Sequence, residues 1–334
     1  MSLIFFEDVE AGELQEFGAY AVTEEEILGF ARAYDPQPFH LDAEAGKRSL
    51  LGGLAASGWH TAAMAHRMLY EAFLKNTASM GGPGVEELKW LKPVRPGDLL
   101  HARRTLLDKR ASKSRPEMGI TRHLLETFNG AGECVMTQQN VLLLGRRGFE
   151  QKPIVRTRPE AAVTAAPPTP EPEKLLPLTK FLEDFRLGEE IDLGARTFTK
   201  EDIIGFATAY DPQPFHLDEI AASQSHFGRL AASGWETAAT WMKQWVAHQK
   251  MFLADLSGRG GVTPEVGPSP GFRDLKWPHP VYAGDLVHYT TTIENRRATS
   301  RPGWGIIFTH NKGINQDGVL VFEFKGAVFW QMRP

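Results

Sequence analysis

Residues Gly29–Asp42 read GFARAYDPQPFHLD and Gly205–Asp218 read GFATAYDPQPFHLD, one segment written twice with a single difference, Arg32 against Thr208. Asp211 follows Asp35, and His216 follows His40, by the same 176 positions. That spacing is one domain's length, so the 334 residues read as two copies of one domain, 1–150 and 178–334. Between them 151–177 is rich in Pro, Ala and Glu and poor in large apolar residues, the composition of an extended linker. A linker of this length allows the copies to sit side by side, and their repeat relation makes a two-fold pseudo-dimer the default arrangement.

The repeated segment carries an acid and an imidazole. Pro36 and Pro38 forbid helix and push the residues before them to extended geometry. Asp35 and His40, like Asp211 and His216, therefore sit on a stiff, non-helical bend where their side chains can converge on a small molecule such as water, a pairing suited to acid–base work. The competing reading is a solvated Asp capping a turn and a His stacked on Phe39 or Tyr34. Retention of the whole pair in both copies weighs toward the first.

Each copy then continues alike. Thr23 with Glu26, and Thr199 with Asp202, mark helix starts before the bend. After it, LAASGW occurs at Leu54–Trp59 and at Leu230–Trp235, opening an apolar helix of about four turns with paired alanines. In the first copy His66 interrupts that helix's apolar stripe. Leu-Lys-Trp follows at 88–90 and 275–277, then a Gly-Asp turn at Asp98 and Asp285 that reads as structural. Three β-rich runs complete each copy: 99–107, 119–128 and 134–144, then 286–294, 305–311 and 319–331. Asn129-Gly130 and Asp317-Gly318 are hairpin signals. The expected class is α+β, with a long central helix wrapped by a curved antiparallel sheet in each copy.

Composition narrows the partners. A formal charge of −4 makes no electrostatic case for nucleic acid. The lone Cys134 excludes an internal disulfide framework, and no run approaches a membrane span, so a cytoplasmic protein is expected. With no Cys/His cluster of metal spacing and no Gly-rich phosphate loop, neither a metal nor a redox cofactor is expected.

The bend followed by LAASGW resembles the MaoC-like (R)-specific enoyl-CoA hydratases and dehydratases, here in tandem. Members carry Asp-x-Asn-Pro-x-His-x-Asp; this chain has Asp35-Pro36-Gln37-Pro38-Phe39-His40-Leu41-Asp42 and its copy from Asp211 to Asp218, with Gln37 and Gln213 in the asparagine's place. The resemblance covers both copies and leaves out the linker. It implies a double hotdog fold, an acyl-CoA or acyl-carrier thioester as substrate, assembly of double-hotdog chains into homodimers, and water addition to a 2-enoyl thioester by Asp35 with His40 and Asp211 with His216. It also implies an oxyanion hole at the backbone N–H groups of Gly58 and Gly234, where helix starts leave donors unsatisfied, with Trp59 and Trp235 beside the substrate. Close packing is the other account of the two glycines. Arg103, Arg104, Arg115, Arg296, Arg297 and Arg301 are candidate contacts for coenzyme A phosphates or ordinary strand-face arginines. His60, opposite Glu236 in the copy, tunes the pockets or is simply a first-turn polar residue. A hotdog thioesterase and a non-catalytic thioester-binding protein remain alternatives on the sequence alone.

Overall fold

The computed structural model describes residues 3–149, 181–258 and 263–334, with the backbone alone over 251–258. The linker expected at 151–177 lies outside the described residues.

In the first half β1 (Leu14–Ala21) leads to α1 (Glu24–Tyr34), the single turn α2 (Pro38–Leu41), α3 (Ala43–Arg48) and the central helix α4 (Gly58–Ala72). Strands β2 (Gly84–Trp90), β3 (Leu99–Ala111), β4 (Met118–Phe128) and β5 (Cys134–Gly145) follow. The second half repeats the order: β6 (Glu190–Thr197), α5 (Lys200–Tyr210), α6 (Pro214–Leu217), α7 (Glu219–Gln224), α8 (Gly234–Gly258), then β7 (Gly271–Lys276), β8 (Leu286–Ala298), β9 (Trp304–Asn315) and β10 (Leu320–Gln331). The class read from the sequence holds; Leu88–Trp90 end β2, and Leu275 and Lys276 end β7, which stops before Trp277.

The two halves share one antiparallel sheet of ten strands, in the order β1-β3-β4-β5-β2-β7-β10-β9-β8-β6. Its seam is the β2–β7 pair, with Gly84 opposite Lys276 and Lys89 opposite Gly271. Glycine is needed on both sides of that seam. A Cβ on Gly84 would lie 2.1 Å from the carbonyl oxygen of Leu275, and one on Gly271 would lie 2.1 Å from that of Leu88. The pseudo-dimer is thus an edge-to-edge join, and the two central helices pack against each other and against α5 and α1 of the opposite halves.

Each central helix is buried along most of its circumference. Ala62, Ala63, Met64, Ala65 and Leu69 on α4, and Ala238 and Ala239 on α8, are almost wholly covered. Full burial of a residue such as Leu69 stabilises by roughly 1.5–3 kcal/mol, and the alanines set how closely neighbouring layers approach.

Two local expectations need correction. Pro38 and Pro214 do not keep the bend non-helical, because each occupies the first position of a one-turn helix, where a missing N–H costs nothing. Asp35 and Gln37 ahead of Pro36 and Pro38 do avoid helical geometry. In the first hairpin the left-handed residue is Gly132, the equivalent of Gly318, with Gly130 outside that region. Asn129 sets this turn by accepting the Ala131 and Glu133 N–H groups on its side chain.

Candidate active sites

Asp35 is the C-cap of α1 and Ser57 the N-cap of α4, so two helix ends meet at one carboxylate. Asp35 Oδ2 accepts the Ser57 hydroxyl at 2.6 Å, while Oδ1 accepts the Gln37 amide at 2.9 Å. Ser57 Oγ also receives the Trp59 N–H at 3.2 Å, closing the helix cap. Gln37 thus supplies the hydrogen bond to the acid from its longer side chain. Both oxygens of a carboxyl only 2 % exposed thus have donors.

His40 completes the set. Its Nδ1 lies 2.8 Å from the carbonyl oxygen of Ala55, which requires that nitrogen to carry the hydrogen. In that tautomer His40 presents the lone pair of Nε2, 3.5 Å from Asp35 Oδ2. Two acceptors at that separation are placed to receive the two hydrogens of one water. His40 does pack edge-on to Phe39, at 4.6 Å between centroids, but the burial of Asp35 removes the solvated-turn reading of the pair.

The second half repeats the geometry closely. Asp211 accepts from Ser233 at 2.7 Å and Gln213 at 2.9 Å, and His216 has Nδ1 2.7 Å from the Ala231 carbonyl and Nε2 3.4 Å from Asp211. Each pair opens on a cavity, of about 270 Å³ at Asp35 and about 220 Å³ at Asp211. Both cavities are walled by residues of both halves. Trp241 and Phe272 close the first together with Trp59, which stacks on Phe272 at 5.0 Å; His66 and Ser79 reach the second, where Trp235 sits.

Gly58 and Gly234 face their cavities, and among the described residues neither backbone N–H has a protein acceptor. Their lack of a side chain has a packing cause. A Cβ on Gly58 would stand 2.5 Å from the indole of Trp90, and one on Gly234 would stand 2.4 Å from that of Trp277. Trp90 also donates its indole N–H to the Gly58 carbonyl at 2.9 Å. The glycines therefore admit a tryptophan, while the helix start leaves the N–H without an intrahelical acceptor.

A profile of the MaoC like domain family matches residues 9–127 and again 184–303. The chain belongs to this family. The uncharacterized protein YdeM of Bacillus subtilis (strain 168) is 30% identical over 118 residues, 35% of this chain and 82% of that protein. A putative MaoC domain protein dehydratase from Chloroflexus aurantiacus J-10-fl superposes with a TM-score of 0.75 at 14% identity, covering 99% of this chain and 98% of its own. A conserved hypothetical protein of Mycobacterium tuberculosis, described as a double hotdog fold, superposes with a TM-score of 0.70 at 13% identity over 98% of both chains. The tandem MaoC-like halves thus form a double hotdog.

The two MaoC-like sites are not identical. His66, which interrupted the apolar stripe of α4, crosses to the other half and places Nε2 3.0 Å from Asp211 Oδ1. Its counterpart 176 positions on is Met242, which lines the Asp35 cavity. Burial raises the Asp211 carboxyl, but the electrostatic contacts and hydrogen bonds of His66 and then His216 outweigh it and hold the group well below the usual carboxylate range.

His60 and Glu236 are neither pocket residues nor surface ones. Both are buried and line neither cavity. His60 Nε2 lies 3.3 Å from Glu26, whereas Glu236 faces Asp202 and Arg196 and is pushed up to about 8 by burial first, then by Asp202. Of the candidate arginines only Arg115 lines a cavity, the second. Arg103 pairs with Glu126, Arg104 is buried against Glu13 and over Phe73, and Arg296 binds the Leu182 carbonyl. Asp98 and Asp285 fold back onto the N–H groups of Arg95 and Tyr282, as turn residues. Among the described residues no cluster of three or more His, Cys, Asp or Glu is arranged to hold a metal ion, and no helix is long and apolar enough to cross a membrane.

Proposed function

We propose that the chain is a hydratase/dehydratase of 2-enoyl thioesters, interconverting them with 3-hydroxyacyl thioesters at two sites per chain. The observation that carries this reading is the pair of acceptors, Asp35 Oδ2 with His40 Nε2 and Asp211 Oδ2 with His216 Nε2, fixed 3.5 and 3.4 Å apart beside a buried cavity. Membership of the MaoC-like family and the occurrence of dehydratase-named proteins with the same fold support it.

In the hydration direction one water donates a hydrogen to each acceptor. The pair takes one proton as the water oxygen bonds to the β-carbon, and the electron pair of the double bond moves toward the carbonyl. The resulting enolate oxygen is stabilised by the N–H groups of Gly58 or Gly234, at the positive end of a long helix. The pair then returns its proton to the α-carbon and ends as it began. Ser57 and Gln37, or Ser233 and Gln213, keep the carboxylate in place throughout. The thioester is carried by coenzyme A or an acyl-carrier arm, and no cofactor takes part in these steps.

The test is absorbance of the enoyl-thioester band during mixing with crotonyl-CoA, with free thiol assayed in the same cuvette. Loss of the band without thiol release is expected. Thiol release at the rate of band loss refutes hydration in favour of thioester hydrolysis, and binding without either signal across short and medium chains refutes catalysis.

A further inference from the structure

The two cavities share their acid–base set and differ in the wall that an acyl group would meet. At Asp35 the opposite half supplies Trp241, Met242 and Trp245 from α8, Phe272 from β7 and Phe324 from β10. At Asp211 His66 replaces Met242, and His226 stands where the first half has Leu50. Arg115, from the loop between β3 and β4, joins them.

Three polar groups on the second wall are buried without a hydrogen-bond partner: His226 Nδ1, Trp277 Nε1 and the amide oxygen of Asn140. At the first cavity the corresponding indole, Trp90, is already bonded to Gly58, and among its described lining residues only Trp241 Nε1 is left so. Native proteins rarely leave such groups unmet, and a set of them around one cavity marks where a ligand's polar atoms complete the bonding. Which edge of the Asn140 amide faces the ligand depends on that ligand. His226 is 5 % exposed, and burial, then Arg115, then His216 push its imidazole down to about 4. It is thus a neutral donor and acceptor at pH 7, and Arg115, whose Nε binds Glu117 at 2.8 Å, offers its two terminal amino groups.

We propose that the Asp211 cavity receives an acyl group bearing a carboxylate, held by Arg115 together with the His226 and Trp277 N–H groups, while the Asp35 cavity receives a hydrocarbon acyl group. The assignment deepens the thioester reading and rests on it. Coenzyme A brings phosphates of its own, so the test separates an anion on the acyl chain from one on the carrier arm.

Binding of the unreactive saturated thioesters butyryl-CoA and glutaryl-CoA, and of free CoA, is measured by calorimetry on the full chain and on Arg115→Gln and His226→Leu variants. The proposal expects R115Q to weaken glutaryl-CoA by about tenfold or more, the worth of a charge-assisted hydrogen bond, with butyryl-CoA and CoA unchanged. H226L is expected to act in the same direction. Arg115 lies in a partly exposed loop, so R115Q carries the test alone if the buried change at His226 prevents folding. Equal losses for all three ligands place the anion on the carrier arm and overturn the proposal, as does no loss for glutaryl-CoA. These bindings need no turnover. An unaltered glutaryl preference in a chain that hydrates nothing contradicts the hydratase reading alone, and hydration of both enoyl classes with no effect of R115Q contradicts this inference alone.

Discussion

Glu236→Gln isolates a single buried ionisation. In the first half the equivalent His60 sits beside Glu26, which Tyr20 also contacts, while in the second Arg196 is engaged with Asp202 at 3.1 Å and Glu236 Oε2 has no hydrogen-bond partner. The carboxyl is pushed up to about 8 from an ordinary 4.5 and is 2 % exposed, so it is protonated in the folded chain at neutral pH. The sign follows from proton counting. Below 4.5 both states hold the proton and the cost is nil. Between 4.5 and 8 the folded state keeps a proton the unfolded chain has lost, so stability falls as pH rises. Each pH interval of one costs about 1.4 kcal/mol, giving on the order of 5 kcal/mol by pH 8. Glutamine keeps the shape of the protonated acid and does not titrate. Urea denaturation at intervals from pH 5 to pH 9 is expected to show wild type and E236Q nearly equal at the acid end and E236Q more stable by several kcal/mol at the alkaline end. Parallel curves would refute the claim that this carboxyl is buried uncharged.

Three further outcomes follow from the same geometry. Ser57→Ala removes the 2.6 Å donor to Asp35, so turnover at the first site is expected to fall by about tenfold to a hundredfold with little change in KM; it is measured with the second pair disabled. His66→Met removes the imidazole that helps hold the Asp211 carboxyl low, so with the Asp35 pair disabled the acid limb of the rate profile moves to higher pH. Gly58→Ala drives a methyl into the Trp90 indole at 2.5 Å and is expected to cost about 1–3 kcal/mol of stability; Gly84→Ala meets the Leu275 carbonyl oxygen at 2.1 Å, where backbone cannot yield, and is expected to cost more and to loosen the seam, seen as faster amide exchange in β2 and β7.

Much of this was legible in the chain because duplication prints the constant parts twice. Asp35, His40, Gly58 and Trp59 lie in the two longest repeated strings, and the strands announce themselves by alternation. Ser57 lies in LAASGW as well, yet its bond to Asp35 depends on how α1 and α4 meet, and no local pattern encodes that angle. His66 read as a flaw in an apolar stripe, since its partner is in the other half. Its only sequence signal is that the copy has methionine there. Pro38 reads as part of a non-helical bend because proline at the first residue of a helix and proline ahead of an extended bend look alike until the next turn is seen. His60 and Glu236 read as pocket-tuning or plain polar residues of a first turn, and the packing of α1 and α5 over the helix starts is what buries them.

The central claim is that one chain carries two working acid–base pairs. The most direct measurement is hydration of crotonyl-CoA and of the carboxylate-bearing 2-enoyl thioester glutaconyl-CoA by three variants: Asp35→Asn with His40→Gln, Asp211→Asn with His216→Gln, and all four changes together. Two pairs predict measurable hydration in each double variant and none in the fourfold variant. Loss of all turnover in either double variant would leave a single working site and contradict the account, as would hydration persisting when both pairs are gone.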